Sequence, residues 1–174
     1  MKSDNELIKD YQNGEIEAFN ELVKKHLNMT YNYFLSITQD RVESDDLTQK
    51  VFLNLIKGLK NFRFQSSFNT YLYRVKINVL NSYFFKNKWN SFLHLDQIKE
   101  PSIDDSNHEK AFLSKELWKN IEMLPKKQRN VIVLRIANQL SYKEISEVLS
   151  ISEDAAKNNY AHGVKTLKKR MNHG

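Results

Sequence analysis

Apolar residues recur at intervals of three and four along most of this chain, which is the spacing of amphipathic helices. A first helix is predicted from Asp4 to Asn13, and Gly14 is suited to end it. A second helix is predicted from Glu15 to about Leu35, followed by a turn in the segment TQDRVES. The apolar side of this second helix is predicted to comprise Ile16, Phe19, Leu22, Val23, Leu27, Tyr31 and Phe34.

Two further helices are predicted before residue 90. The third carries a stripe of Leu47, Val51, Leu55 and Leu59. The fourth starts near Ser67, and its period holds across more than four turns, which outweighs the strand-like alternation of VKINVL. The members of that longer pattern are Phe68, Tyr71, Leu72, Val75, Val79 and Tyr83.

The fourth helix also places aromatic rings among cations and amides. In one interpretation, rings such as Tyr71 and Tyr73 stack on unpaired DNA bases while Arg74 holds phosphates. The preceding RFQSS loop would then form a pocket for an extruded base. In the other interpretation, the aromatic residues thicken a small helical core. The polar residues left for the faces outside the core are Arg74, Lys76, Asn78, Asn81 and Lys86.

Helical periodicity then fails in a polar, proline-containing stretch with an excess of acidic residues. Its carboxylates are Asp96, Glu100, Asp104, Asp105 and Glu109, against Lys99 and Lys110. Such a stretch is typical of a linker between domains. We therefore predict an all-α fold of two small helical domains, at 1–88 and 111–174, joined by a flexible linker at 89–110. The scarcity of glycine and proline, with four and two residues, agrees with a helical fold.

The C-terminal part is again helical by its spacing. Pro125 is suited to the start of a helix because its φ is fixed. Two apolar stripes are predicted: Phe112, Leu113, Leu117, Ile121 and Leu124 before this position, and Val131, Leu134 and Ile136 after it.

The segment from Leu140 to Gly163 has the plan of a DNA-reading helix-turn-helix. Ser141 and Glu144 form an S-x-x-E capping box for its first helix. Ser152 can cap the second helix, which carries only basic charges after its first turn. A helix of this kind can face phosphates. The alternative is a plain antiparallel helix pair with a solvated basic face.

Composition excludes several classes of protein. There is no cysteine, so neither disulfides nor thiolate metal sites are available. No apolar run approaches the roughly 20 residues of a membrane-spanning helix. The five histidines are scattered without ligand spacing and are predicted to lie on the surface. A net charge of +6 favours a polyanionic partner, although a basic protein without one has the same charge.

Three stretches, in this order, resemble segments of RNA polymerase sigma factors of the extracytoplasmic-function group, in the sigma-70 superfamily. DDLTQKVFLNL resembles the region 2 segment that docks on the polymerase clamp, and FNTYLYRVKIN resembles the promoter-melting segment. LPKKQRNVIVLRIANQLSYKEISEVLSISEDAAKN resembles region 4. The resemblance implies a cytoplasmic protein that is not an enzyme and needs no cofactor. Its implied partners are core RNA polymerase, promoter DNA and an anti-sigma factor, with no membrane insertion of its own.

The resemblance also implies three sets of site residues. The polymerase-binding set is Asp45, Asp46, Gln49, Lys50, Phe52 and Ile56. The set for the minus-ten DNA element is Arg63, Gln65, Ser66, Phe68, Tyr71, Arg74, Asn78, Asn81 and Lys86. The set for the minus-thirty-five element is Ser152, Asp154, Lys157, Asn158, Asn159, His162 and Lys165.

This sequence departs from the family pattern at several of these positions. Tyr71 stands where tryptophan is usual, and Asn159 and His162 replace arginines. Gly163 stands where alanine is common, and Ser150 replaces a turn glycine, which would cost up to roughly 1 kcal/mol in a left-handed conformation.

The sequence leaves alternative roles open for region 4, for the linker and for the whole chain. Asparagine pairs with adenine edges, so we hypothesise that Asn158 and Asn159 read an A-rich upstream element. The alternative is that region 4 mainly binds the polymerase flap. The acidic linker either follows the RNA path as a nucleic-acid mimic or is a solvated tether. The alternative function is a stand-alone helix-turn-helix regulator that binds duplex DNA as a dimer.

Overall fold

The computed structural model describes residues 2–92 and 108–172, with side chains in 2–89 and 114–172. These residues form helices and no strand, which confirms the predicted all-α fold. The helices are α1 (Asp4–Gln12), α2 (Ile16–Thr38), α3 (Arg41–Leu59), α4 (Phe68–Phe92), α5 (His108–Glu122), α6 (Lys126–Ile136), α7 (Tyr142–Leu149) and α8 (Glu153–Met171).

The connection between α2 and α3 is shorter than predicted. The helix α2 continues to Thr38, and Gln39 ends it in a left-handed conformation with φ 54°. The carboxylate of Asp40 then accepts a hydrogen bond from the Glu43 N–H at 2.9 Å and caps α3. Because a cap residue follows the end of α2 directly, the predicted seven-residue turn reduces to two residues.

The helices α1 to α4 form the core of the N-terminal domain. All four predicted core residues of α3, namely Leu47, Val51, Leu55 and Leu59, are buried. The predicted stripe of α2 was wrong at Ile16 and Leu27, which are exposed. The buried face of α2 instead includes the polar residues His26 and Thr30, so hydrophobicity alone misplaced it.

His26 corrects the expectation that each histidine lies on the surface. Its side chain is buried, with Nε2 3.2 Å from the Asp4 carboxylate and its ring edge-on to Phe68 at 5.1 Å. Asp4 also pairs with Lys25 at 2.7 Å. Burial opposes ionisation of Asp4, but the hydrogen bonds from Lys25 and His26 outweigh it and lower the pKa of the carboxyl group.

The C-terminal domain packs α5 to α8 around a second core. Ile121, Leu124, Val131 and Leu134 are buried as predicted, but Ile136 is exposed at the end of α6. The interior of α6 is buried on more than one side, because Ile132 and Val133 are also inaccessible to solvent. Pro125 precedes α6 as its N-cap rather than forming its first turn. The side chains of the predicted core residues Phe112 and Leu113 lie outside the described residues.

The two domains contact each other in this structure. The helix α4 packs against α7, and α2 packs against α5, where the Gln39 side chain donates to the Ser114 hydroxyl. The predicted linker limits at 89 and 110 fall inside α4 and α5, so the helices extend further than the periodicity indicated. The acidic residues Asp96, Glu100, Asp104 and Asp105 lie outside the described residues.

Candidate nucleic-acid interface

The predicted polymerase-docking surface lies along one exposed side of α3. Asp45, Asp46, Gln49, Lys50 and Ile56 are exposed there. The Gln49 amide donates to the Asp45 carboxylate at 3.0 Å, which orients both side chains along the helix.

Phe52 does not belong to this exposed surface. Its side chain is buried in the N-terminal core, as are those of Val51 and Leu55. The role of Phe52 in polymerase binding stays a prediction, and in this structure its side chain supports the exposed surface of α3 from the core.

The connection between α3 and α4 carries a cluster of aromatic rings. The centroid of the Phe62 ring lies 5.0 Å from that of Phe64 and 5.0 Å from that of Tyr71. The Tyr71 hydroxyl rests on α3 at Gly58, where a Cβ atom would come within 2.0 Å of it. A glycine is therefore needed at position 58 for the Tyr71 ring to reach this cluster.

The polar residues of this connection point toward solvent. Arg63 and Gln65 are exposed, and Ser66 is half-buried. Phe64 has a left-handed backbone with φ 55°, which is unusual for a bulky side chain. Phe68 is buried against His26, so this structure places it in the core, and its contact with DNA stays a prediction.

Two predicted DNA-binding residues of α4 are engaged by the C-terminal domain. Arg74 donates from Nε to the Val148 carbonyl at 3.0 Å and from Nη2 to the Glu147 carbonyl at 2.7 Å. Asn81 accepts a hydrogen bond from Nη2 of Arg129 at 2.9 Å. The structure therefore brings the α4 face against α6 and α7.

The other predicted residues of α4 remain accessible. Asn78 and Lys86 are exposed. Lys86 lies three turns beyond Arg74 along the helix, and Asn78 lies one turn beyond it. The structure therefore separates the predicted minus-ten set into accessible, buried and domain-engaged residues.

Lys76 was predicted to lie on an outer face of α4, but it is buried. Its Nζ lies 4.3 Å from the centre of the Tyr33 ring and 4.9 Å from that of Tyr73. Burial lowers the pKa of Lys76 to about 8 and raises the pKa values of both tyrosine hydroxyls. The two ring faces stabilise the ammonium in place of an oxygen partner. In this part of α4, the ring of Tyr73 therefore packs against a buried cation, Lys76.

The helix-turn-helix has the predicted local geometry. Ser141 accepts from the Glu144 N–H at 3.2 Å, and the Glu144 carboxylate accepts from the Ser141 N–H at 2.7 Å, which completes the capping box. Ser150 adopts a left-handed conformation with φ 54°. Ser152 caps α8 by accepting from the Ala155 N–H at 3.1 Å. These contacts fix the angle at which α8 leaves the turn.

The exposed face of α8 is smaller than the predicted minus-thirty-five set. Asn158, His162 and Lys165 are exposed and follow one another at helical spacing. Asn159 is half-buried, and its amide donates to the Ala155 carbonyl of its own helix at 2.7 Å. Lys157 is exposed but paired with Glu153 at 3.2 Å.

The first turn of α8 completes the predicted set. Ser152 and Asp154 are both exposed, and the Ser152 hydroxyl is used as the cap described above.

Gly163 is buried where α8 crosses α6, and a Cβ atom there would lie 2.5 Å from Cδ1 of Ile132. Close helix packing thus accounts for glycine at this position.

Three residues matter for these surfaces through contacts that the sequence did not indicate. They are Gln12, which contacts the α3–α4 connection, Lys76 and Arg129. Each has at least one partner more than 40 positions away in the chain, and no local spacing could reveal that contact. Within the described residues, no three His, Cys, Asp or Glu side chains are grouped to hold a metal ion. No helix found there is long and apolar enough to cross a membrane.

Comparison with known proteins identifies the family. The family model "Sigma-70 region 2" matches residues 22–90. The family model "Sigma-70, region 4" matches residues 114–167. The chain belongs to the sigma-70 family. Similar relatives are the ECF RNA polymerase sigma factor SigW of Bacillus subtilis, 27% identical over 94% of each chain, and the ECF RNA polymerase sigma-E factor of Escherichia coli K12, 29% identical over 84% of this chain and 83% of the relative. The prediction of an extracytoplasmic-function sigma factor is confirmed.

Solved structures of similar chains share the fold. One is CnrH in complex with the cytosolic domain of CnrY, with a TM-score of 0.66, 19% identity and 99% of each chain covered. Another is the sigma factor RpoE in complex with the anti-sigma factor NepR from Bartonella quintana, with a TM-score of 0.60, 17% identity, and 88% of this chain and 96% of that chain covered. Sigma factors are non-enzymatic initiation factors, which agrees with the role expected for this chain.

Proposed function

We propose that this sigma factor docks on core RNA polymerase through α3 and opens promoter DNA at the α3–α4 connection. The observation that carries the proposal is the cluster of Phe62, Phe64 and Tyr71, in a connection where the exposed residues Arg63 and Gln65 alternate with the two phenylalanines. Aromatic rings can stack on unpaired bases, while a neighbouring cation holds the phosphates. Such a site favours single-stranded over duplex DNA, which is the preference that promoter melting requires.

Polymerase docking can be tested by size-exclusion chromatography of the full chain with bacterial core RNA polymerase. We expect co-elution of the wild-type protein and loss of co-elution for Asp46→Arg, because Asp46 presents a carboxylate on exposed α3. Glu21→Arg is the matched control, since it reverses a charge at an exposed position of α2. Failure of the wild-type chain to co-elute, together with tight dimeric binding to duplex DNA, would favour the stand-alone helix-turn-helix regulator instead.

Upstream recognition is assigned to the exposed face of α8. We propose that Asn158 reads an adenine of the minus-thirty-five element, because its amide is exposed and asparagine pairs bidentately with adenine edges. Asn159 is less suited to this role because its amide already donates to Ala155. A promoter selection with the holoenzyme tests the assignment: Asn158→Ala should change one base preference, and Asn159→Ala should not. A selection in which Asn158→Ala left every preference unchanged would instead favour a region 4 that mainly binds the polymerase flap.

Engagement of polymerase and promoter also requires a change in the arrangement of the two domains. Arg74 and Asn81 contact the C-terminal domain, so their DNA-binding role needs these contacts to open. An anti-sigma factor that holds the domains together would prevent this opening, and the related CnrH and RpoE structures each contain a bound protein. We accordingly propose a protein of this type as a partner, and the cytoplasm, where polymerase acts, as the location.

A further inference from the structure

The last turn of α1 contacts the end of α3 and the connection that follows it. The Gln12 amide nitrogen donates to the Leu59 carbonyl at 2.8 Å and to the Phe62 carbonyl at 2.9 Å. The Tyr11 hydroxyl donates to the Ile56 carbonyl at 3.0 Å. Lys9 places its Nζ 5.8 Å from the centre of the Phe64 ring. Four contacts from the last turn of α1 therefore hold the end of α3 and the connection that follows it.

This loop needs support from outside itself. The left-handed backbone of Phe64, with φ 55°, is unfavourable for a residue with a Cβ atom. Such a conformation persists only when surrounding contacts determine it. The ring of Phe62 must also keep its place between Phe64 and Tyr71. Gln12 holds the carbonyl of Phe62 itself, so it acts at the centre of the aromatic cluster.

Nothing in the family match assigns a role to α1, because the region 2 match begins at residue 22. We propose that α1 is the positioning element of the base-capturing loop and that Gln12 is its positioning residue. The inference rests on the proposed function of this loop in holding an extruded base. Gln12 does not contact DNA in this proposal. It fixes the Phe62 backbone, so that the rings are already arranged when the base arrives.

Isosteric substitution separates hydrogen-bond donation from shape. Gln12→Glu keeps the shape of the side chain but replaces the N–H donors with a carboxylate that repels both carbonyls. Gln12→Lys restores N–H donors and is the rescue variant. Asn13→Asp is the matched control, since it introduces the same charge at the adjacent exposed position.

The assay is selection of single-stranded DNA from a random library by the full chain bound to core polymerase. We expect Gln12→Glu to bind polymerase as the wild type does, but to lose preference at one base and bind the selected strand about tenfold more weakly. Gln12→Lys should retain that preference, and so should Asn13→Asp.

The outcomes distinguish this inference from the function on which it rests. Wild-type holoenzyme that enriches no sequence would overturn the proposed function itself. Wild-type enrichment that Gln12→Glu reproduces in full would overturn the role of Gln12 alone. Equal losses for Gln12→Glu and Asn13→Asp would also overturn it, since added charge rather than lost donation would then be the cause.

Discussion

Removal of the Arg74 side chain should shift the two domains toward a separated state. The guanidinium joins α4 to the last turn of α7 through the carbonyls of Glu147 and Val148. Carbonyls in the last turn of a helix lack partners within the helix, and the helix dipole there attracts a cation. Arg74→Ala removes both hydrogen bonds and this charge in one step.

The size of the effect follows from the exposure of the two bonds. A hydrogen bond to a charged group contributes about 1.5–3 kcal/mol when it is shielded from water. One of the Arg74 bonds is only half-buried and the other is exposed, so screening reduces each to about 1 kcal/mol. The dipole adds about 0.3–1 kcal/mol. A total loss of about 2.3–3 kcal/mol raises the ratio of separated to closed molecules about 40- to 140-fold.

Single-molecule energy transfer can measure this ratio, because the chain has no cysteine that would compete for dyes. Lys24→Cys in α2 and Lys168→Cys in α8 place one dye at an exposed position of each domain. Arg74→Lys should give an intermediate ratio, since lysine keeps the charge but lacks the planar fork. Arg63→Ala is the control for charge. An unchanged ratio in Arg74→Ala, or an equal rise in Arg63→Ala, would refute the reasoning.

Three further substitutions test the local geometry. Ser150→Gly should raise the free energy of unfolding in urea by about 0.5–1 kcal/mol, because glycine tolerates the left-handed backbone that Ser150 adopts. The control Ser146→Gly, inside α7, should lower it, and a decrease in both variants would contradict the assigned conformation of Ser150. Gly58→Ala should cost about 1–3 kcal/mol by displacing the Tyr71 hydroxyl, and adding Tyr71→Phe should recover most of the loss; no recovery would place the clash elsewhere. Lys76 has a folded pKa of about 8 and an ordinary value of 10.5, so its contribution to stability is fully present above pH 10.5 and is lost as the pH falls through 8. Lys76→Met should therefore abolish this part of the rise in unfolding free energy between pH 8 and 10.5, and a rise identical to that of the wild type would exclude Lys76 as its source.

Helix positions and caps could be predicted from the sequence because they depend on near neighbours. The capping box of Ser141 and Glu144 spans four residues, and the stripe of α3 repeats every turn. The buried face of α2 could not be predicted in the same way. His26 and Thr30 lie in the core, and the partners of His26, Asp4 and Phe68, are distant in the chain.

The site residues show the same division between local and distant causes. The resemblance located the exposed residues of α3 and α8, since these follow family motifs. It could not indicate that Phe52 and Phe68 are buried or that Arg74 contacts α7, because these depend on how helices pack. Lys76 was misplaced because a lysine is rarely buried without an anionic partner, and two aromatic ring faces take that role here.

The ion pair between Lys157 and Glu153 has a consequence for the ionic-strength dependence of promoter binding. A lysine that meets a phosphate normally releases the small cation condensed there, and each such release steepens the fall of affinity with salt. Here the lysine must first leave a carboxylate of its own helix, which then recruits a cation from solution. Uptake at Glu153 offsets release at the phosphate. The contribution of α8 to the salt dependence should therefore be smaller than its number of positive charges indicates.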